Sequence, residues 1–159
     1  LDHHLTLKWH NNGREIRAAT ENAPGGRINN ENIYYLPGFS WALRTDYFSP
    51  HVVPAGCIPS VSRYEAITKV GPLQNTFLHM ALFSAPIYDF IAKLQMEKWK
   101  QPKFIPGVIR NLPVPNLNSS KKETLSCLGA EAVQITRSIH QALETSREFF
   151  FLMPEDNDE

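Results

Sequence analysis

Aromatic residues, turn-forming residues and an arginine are concentrated between Tyr34 and Ser60, with no catalytic group beside them. Side chains of these kinds recognise ligands by stacking and hydrogen bonding. Trp41, in this stretch, is either a large core side chain or part of a contact surface. Because an arginine is seldom buried without a partner, Arg44 either pairs with a neighbour such as Asp46 or faces an anionic ligand. The stretch predicts a recognition surface.

The sequence lacks the motifs of the common enzyme classes. It contains no GxxxxGK[ST] phosphate loop, no GxSxG nucleophile elbow and no lysine preceded at two residues' distance by Asp or Glu. The six histidines are dispersed or lack the spacing of a helical metal site. Cys57 and Cys127 have no CxxC spacing, which favours two reduced thiols and a cytoplasmic protein. We therefore expect no catalytic, cofactor or metal site within this chain.

The size and charge of the chain limit which partners it can have. A chain of 159 residues fits one domain with its own core, and it has no apolar run long enough for a membrane span, so no membrane contact is expected. Because it begins with Leu, we expect it to be a fragment of a larger parent. The net charge is zero, yet seven basic residues and one acidic residue lie between Lys93 and Lys122. Such a patch can hold phosphates or can be a solvated charged face.

Local signals predict the elements that position these residues. Turn signals at Asn12-Gly13 and Pro24-Gly25-Gly26 indicate that residues 1–70 are mainly β structure. Helical spacing over residues 72–98 predicts two helices that meet at a bend near Ser84, which would cap the second. Four prolines within residues 102–115 predict an extended edge strand.

The end of the chain predicts one further helix. Ser120 and Glu123 form a capping box, and a heptad-like apolar seam follows, formed by Leu125, Leu128, Ala132, Ile135, Ile139 and Ala142. The expected class is α+β, with a twisted β-rich part, a bent helix pair, an edge strand and a C-terminal helix. We assign residues 1–118 to a recognition domain, 119–153 to a C-terminal helix and docking segment, and 154–159 to a mobile acidic tail.

Five segments, taken in order, carry a resemblance to a known family: WHNNGREI (Trp9 to Ile16), YYLPGFSW (Tyr34 to Trp41), LFSAPIYDFIAKL (Leu82 to Leu94), FIPGVIRNLPVP (Phe104 to Pro115) and ETSREFF (Glu144 to Phe150). Over nearly its whole length the chain resembles the C-terminal half of large adenine-specific DNA methyltransferases, of the phage-exclusion or fused restriction-modification kind. In that family this region is a target recognition domain. A separate upstream domain binds S-adenosylmethionine and methylates the adenine N6.

The resemblance implies double-stranded DNA and the catalytic domain of the same parent as partners. S-adenosylmethionine would bind to the parent, since the glycine-rich loop and the Asn-Pro-Pro-aromatic tetrapeptide are absent here. The chain departs from its relatives at Phe39-Ser40-Trp41 and Ile58-Pro59-Ser60, so a different target sequence is expected.

Residue type and loop position, and not the family motif, suggest which side chains contact DNA. Arg44 and Arg63 could read guanine, and Asn29 or Asn30 could read adenine. The remaining candidates are aromatic residues that would pack on sugars or on an opened base step, Trp41, Tyr47 and Tyr64, and phosphate anchors, Lys100, Lys103 and Arg110.

A protein-interaction module is the alternative. In that case the seam from Leu125 to Ala142 and the cluster Phe149–Phe151 bind a partner subunit, and the aromatic loops are core. This alternative predicts no salt-dependent binding to DNA.

Overall fold

A computed structural model describes residues 6–60, 62–67, 73–96, 101–143 and 145–146. Lys100, the cluster Phe149–Phe151 and the predicted acidic tail lie outside these residues. The elements in chain order are α1 (His10–Glu21), a 3-10 turn (Glu31–Ile33), β1 (Gly38–Ala42), β2 (His51–Val53), β3 (Arg63–Ala66), α2 (Leu73–Phe83), α3 (Pro86–Leu94), α4 (Pro106–Arg110) and α5 (Ser119–Gln141). The α+β class is confirmed.

Contacts within the chain define two compact units. The first, unit 1, comprises Leu1–Arg27 and Val133–Glu159, and the second, unit 2, comprises Ile28–Ala132. Unit 2 contains the whole sheet and the helices α2, α3 and α4. The predicted recognition stretch therefore lies in unit 2.

In unit 1 the prediction of β structure is wrong, because the segment around Asn12-Gly13 is helix α1. The Asn-Gly signal indicates a backbone with positive φ, and here the φ angles of Asn11, Asn12 and Gly13 are 49°, 55° and 70°. Gly13 packs on Trp9, whose ring atoms would lie 2.8 Å from an added Cβ. Arg17 donates from Nε to the carbonyl of Asn12 at 2.8 Å. The left-handed turn thus interrupts a helix and does not join two strands.

The sheet of unit 2 has the strand order β2-β1-β3, with both pairs antiparallel. In the central strand β1, Phe39 and Trp41 point to one face, and Ser40 and Ala42 point to the other, because successive side chains alternate. Phe39 and Trp41 belong to the hydrophobic core together with residues of α3 and α4. One face of the sheet is therefore closed by packing.

The core is aromatic and is joined by contacts between distant parts of the chain. Phe104 is fully buried, and its ring stacks on that of Phe48 with centroids 5.3 Å apart. The indole Nε1 of Trp41 donates to the carbonyl of Phe104 at 2.8 Å. The hydroxyl of Tyr88 donates to the carbonyl of Pro113 at 2.9 Å. These hydrogen bonds satisfy the polar atoms of two large buried side chains.

The bent helix pair is present, with an angle of 71° between Asn75–Phe83 and Pro86–Leu94. The predicted cap is wrong: Ser84 donates its hydroxyl back to the Met80 carbonyl, and Ala85 takes the N-cap position of α3. Within the described residues, no single helix is long and apolar enough to cross a membrane, although the bent pair passes that criterion when its two parts are counted together.

The edge strand predicted for residues 102–115 is wrong, because α4 begins at Pro106. Proline is unfavourable inside a helix but suits its first position, where no intrahelical N–H bond is lost. Only one strand-like contact remains in this segment, an isolated antiparallel bridge between Arg44 and Lys103.

The long helix α5 begins one residue earlier than the predicted capping box. Its first turn is capped by Asn118, whose Oδ1 accepts the backbone N–H of Lys121 at 2.9 Å. Within unit 2 the helix packs closely on α2 at Gly129. A Cβ at this position would lie 2.4 Å from the carbonyl oxygen of Phe77.

We expect Gly129→Ala to lower the free energy of unfolding by about 1–3 kcal/mol, because two backbones must separate to admit a methyl group. This loss would outweigh the helix propensity gained, about 1 kcal/mol. Gly107→Ala is the matched control, since no atom lies within 4 Å of its Cβ position. Urea denaturation of both variants provides the measurement. Equal midpoints for the two would contradict the close packing of α5 on α2.

Candidate nucleic-acid interface

The sheet face opposite Phe39 and Trp41 carries polar residues beside the buried Gly38 and Val53. Ser40 on β1 is paired with His51 on one side and with Glu65 on the other, and Ala42 is paired with Arg63. Because directly paired residues point to the same side of a sheet, these five residues share one face. We refer to them as the polar sheet face.

Arg63 reaches across the central strand. Its Nη1 lies 3.5 Å from Nε2 of His51, although the two residues belong to the strands on either side of β1. The short side chains of Ser40 and Ala42 leave room for this crossing, and Ser40 is buried. The guanidinium is therefore held above the sheet, with Arg63 itself exposed.

The side chain of Glu65 is half-buried. Its Oε1 is buried and has no hydrogen-bond partner among the described residues. Burial raises the pKa of Glu65 to about 7. Burial also raises the pKa of the Cys57 thiol, and the negative charge of Glu65 adds to that rise. Near neutral pH, Glu65 thus populates both protonation states, while Cys57 stays a thiol and is a poor nucleophile.

The raised pKa of Glu65 predicts a pH-dependent stability. The folded chain keeps the proton up to about pH 7, whereas a free carboxyl loses it near 4.5, so stability should fall as the pH rises through this window. Allowing for partial exposure, we expect Glu65→Gln to be more stable than the unmodified chain by about 1–2 kcal/mol at alkaline pH. Urea midpoints measured on both sides of the window test this. If the stabilities of the two proteins changed with pH in the same way, this prediction would be wrong.

The structure places Trp41 in the core, with 3% of its surface exposed. The prediction that Trp41 packs against a sugar or a base is therefore wrong. A large aromatic next to Phe39, Phe48 and Tyr64 gains more from burial than from a place in a loop surface. Tyr64 is half-buried, with its ring centroid 6.3 Å from that of Trp41.

Arg44 and Lys103 are brought together. The antiparallel bridge joins their backbones, and both residues are exposed. Within the described residues no ion pair links Arg44 to Asp46, which leaves the interpretation that Arg44 faces outward. Two cationic side chains that are 59 positions apart in the sequence (103 − 44) thus lie side by side.

The other residues predicted to contact DNA lie in different segments of the chain. Arg110 is exposed at the end of α4. Asn29 and Asn30 are exposed, and Asn30 has a positive φ of 56° before the 3-10 turn. Tyr47 is 71% exposed, and the Nζ of Lys93 lies 4.8 Å from its ring centroid.

Only some of the basic residues between Lys93 and Lys122 carry a charge that a ligand could contact. Lys93 is paired with Asp89 at 2.7 Å, so it contributes little net field. The exposed cations of the patch within the described residues are Lys103, Arg110, Lys121 and Lys122.

Sequence reasoning missed His51 and Glu65. The alternation of Arg63 and Glu65 around Tyr64 was a usable signal, because residues two apart in a strand share a face. His51 joins them only through its pairing with Ser40, which depends on a register that no local pattern encodes.

Within the described residues, no group of three His, Cys, Asp or Glu side chains is arranged to hold a metal ion. Comparisons with protein-family models, with curated proteins and with solved structures find no match to this chain. The resemblance to adenine methyltransferases therefore stays a prediction from the sequence.

Proposed function

We propose that unit 2 recognises double-stranded DNA in a sequence-specific manner. In this proposal it is the target recognition domain of a larger adenine-specific DNA methyltransferase that acts in restriction-modification or phage defence. The parent supplies S-adenosylmethionine binding and the methyl transfer through its own catalytic domain. A cytoplasmic location follows from the substrate and from the two cysteines without a disulfide.

The observation that supports this proposal best is the exposed Arg63 on the polar sheet face, where its guanidinium crosses the short side chains of Ser40 and Ala42. A planar guanidinium forms two parallel hydrogen bonds with O6 and N7 of guanine. Its contact with His51 reduces the number of orientations that the side chain samples, which lowers the entropy lost on binding.

Exposed cations supply the sequence-independent part of the binding. Arg44 and Lys103 form an adjacent pair, and Arg110 ends α4. Phosphate contacts of this kind set the register of a duplex on a protein and make its affinity depend on salt. Lys100 remains a proposed anchor on sequence grounds alone.

Titration of the chain with a labelled duplex at about 50 and 200 mM salt tests the proposal. We expect affinity to fall steeply between the two conditions, because bound phosphates release counterions. Selection from a pool of randomised duplexes would then reveal the preferred sequence. Binding that ignores both salt and sequence would exclude this function.

A second candidate function, a protein-interaction module, is supported by exposed apolar side chains of α5. Leu128, Ile135 and Ile139 are 53%, 55% and 57% exposed, and they follow the seam predicted from the sequence. In this case the seam would pack on a partner subunit. Association through it would persist at high salt and would be lost in Ile135→Glu, which adds a charge to an apolar contact.

A further inference from the structure

Glu65 has an unusual environment on the polar sheet face. Its Oε1 lacks a hydrogen-bond donor among the described residues, although the side chain as a whole is only half-buried. A buried acceptor without a donor opposes folding, so its presence calls for an explanation. Rotation about the terminal bond of a glutamate exchanges its two oxygens, so either one can take the less buried position and accept from an incoming donor.

The position of Glu65 relative to Arg63 suits two base contacts that are about two base pairs apart. The two residues are two positions apart on β3 and share the polar sheet face. This spacing corresponds to about 6.8 Å along a strand, about twice the ~3.4 Å rise per base pair. If Arg63 contacts a guanine, Glu65 lies beside a base edge about two pairs further along.

The chemistry of a carboxylate selects among the four base edges. A carboxylate only accepts hydrogen bonds. In the major groove, cytosine offers its N4 amino donor alone, whereas adenine places an acceptor beside its amino group. Guanine and thymine present acceptors there, which repel a carboxylate.

We propose that Glu65 determines sequence specificity by accepting a hydrogen bond from the N4 amino group of a cytosine. This inference rests on the proposed recognition of DNA by unit 2. Glu65 is the one acidic member of the polar sheet face, and Arg63 lies two residues away on the same strand. Cytosine at one position of the target would thus supply a donor that Glu65 lacks among the described residues.

The proposal predicts a link between cytosine recognition and pH. A donated hydrogen bond favours the charged carboxyl, so the preference for cytosine should increase from about pH 6 to about pH 8. Other groups also face this region: His51 from β2, Arg63 from β3 and the Cys57 thiol from the loop after β2. Because an imidazole titrates in the same range, the pH profile must be compared with that of Glu65→Gln.

The experiment uses the whole chain and a pool of randomised duplexes. The preferred sequence is selected for the unmodified chain, for Glu65→Gln and for Glu65→Ala. Glu123→Gln is the control, since it removes the same charge from an exposed position of α5. Replacing each base pair of the selected site in turn then measures the preference at every position, at about pH 6 and about pH 8.

We expect one cytosine of the site to be worth about tenfold in affinity to the unmodified chain. Glu65→Gln should lose that preference and its pH dependence, and should shift towards adenine, which matches an amide. Glu65→Ala should lose the preference without gaining adenine, and Glu123→Gln should behave as the unmodified chain. Retention of every cytosine preference by Glu65→Gln overturns the assignment of Glu65 alone. Absence of any sequence preference or salt dependence in the unmodified chain overturns the recognition function itself.

Discussion

Replacing Trp41 by alanine should remove about 3–5 kcal/mol of stability, which is a large share of the roughly 5–15 kcal/mol by which domains are usually stable. The side chain is 3% exposed and lies against three other aromatic rings. Truncation leaves a large cavity and deprives the Phe104 carbonyl of its donor. Urea denaturation followed by far-ultraviolet circular dichroism measures the loss.

Two further variants show which property of Trp41 accounts for the loss of stability. Trp41→Phe keeps an aromatic ring but removes the indole donor, so we expect an intermediate loss of stability. Tyr47→Ala truncates an aromatic residue that follows β1 and is 71% exposed, and should change the stability by less than about 1 kcal/mol. If Tyr47→Ala were as damaging as Trp41→Ala, the assignment of Trp41 to the core would be refuted.

Arg63→Ala should abolish most of the preference for the selected DNA sequence, a loss of about 1–3 kcal/mol relative to a scrambled duplex. The guanidinium is exposed and oriented towards His51, so its removal leaves no other forked donor on the polar sheet face. Arg63→Lys should lose nearly as much preference, because an ammonium cannot form two parallel hydrogen bonds. Competition binding with the two duplexes measures the ratio of affinities.

Lys103→Ala provides the comparison for this prediction. Lys103 is exposed beside Arg44 and is proposed to hold a phosphate, so its loss should weaken both duplexes alike and reduce the salt slope by about one unit. The opposite pattern, with discrimination lost in Lys103→Ala and kept in Arg63→Ala, would refute the assignment of roles.

Local signals were sufficient for elements that depend on local contacts. The apolar spacing of α2 and α3, and the proline at the start of α3, predicted a bent pair that the structure contains. The same signals gave wrong predictions where one backbone conformation is compatible with two kinds of secondary structure. Positive φ at Asn12-Gly13 suits a hairpin or a helix interruption, and Pro106 suits an extended edge strand or a first helical turn.

The site was harder to predict than the elements, because it depends on register. Arg63 and Lys103 were chosen by residue type, but their neighbours His51 and Arg44 are set by pairing between distant segments. Whether Trp41 was core or surface depended on the segment before α4, which no pattern near Trp41 specifies.

The hydrogen bond from Trp41 to Phe104 also constrains the order of assembly during translation. The two residues are 63 positions apart, so β1 leaves the ribosome well before its acceptor has been synthesised. Contacts between such distant segments form slowly because a long loop must first close. Until residue 104 has emerged, the indole of Trp41 lacks this acceptor, and we expect the nascent chain to be most prone to aggregation at this stage.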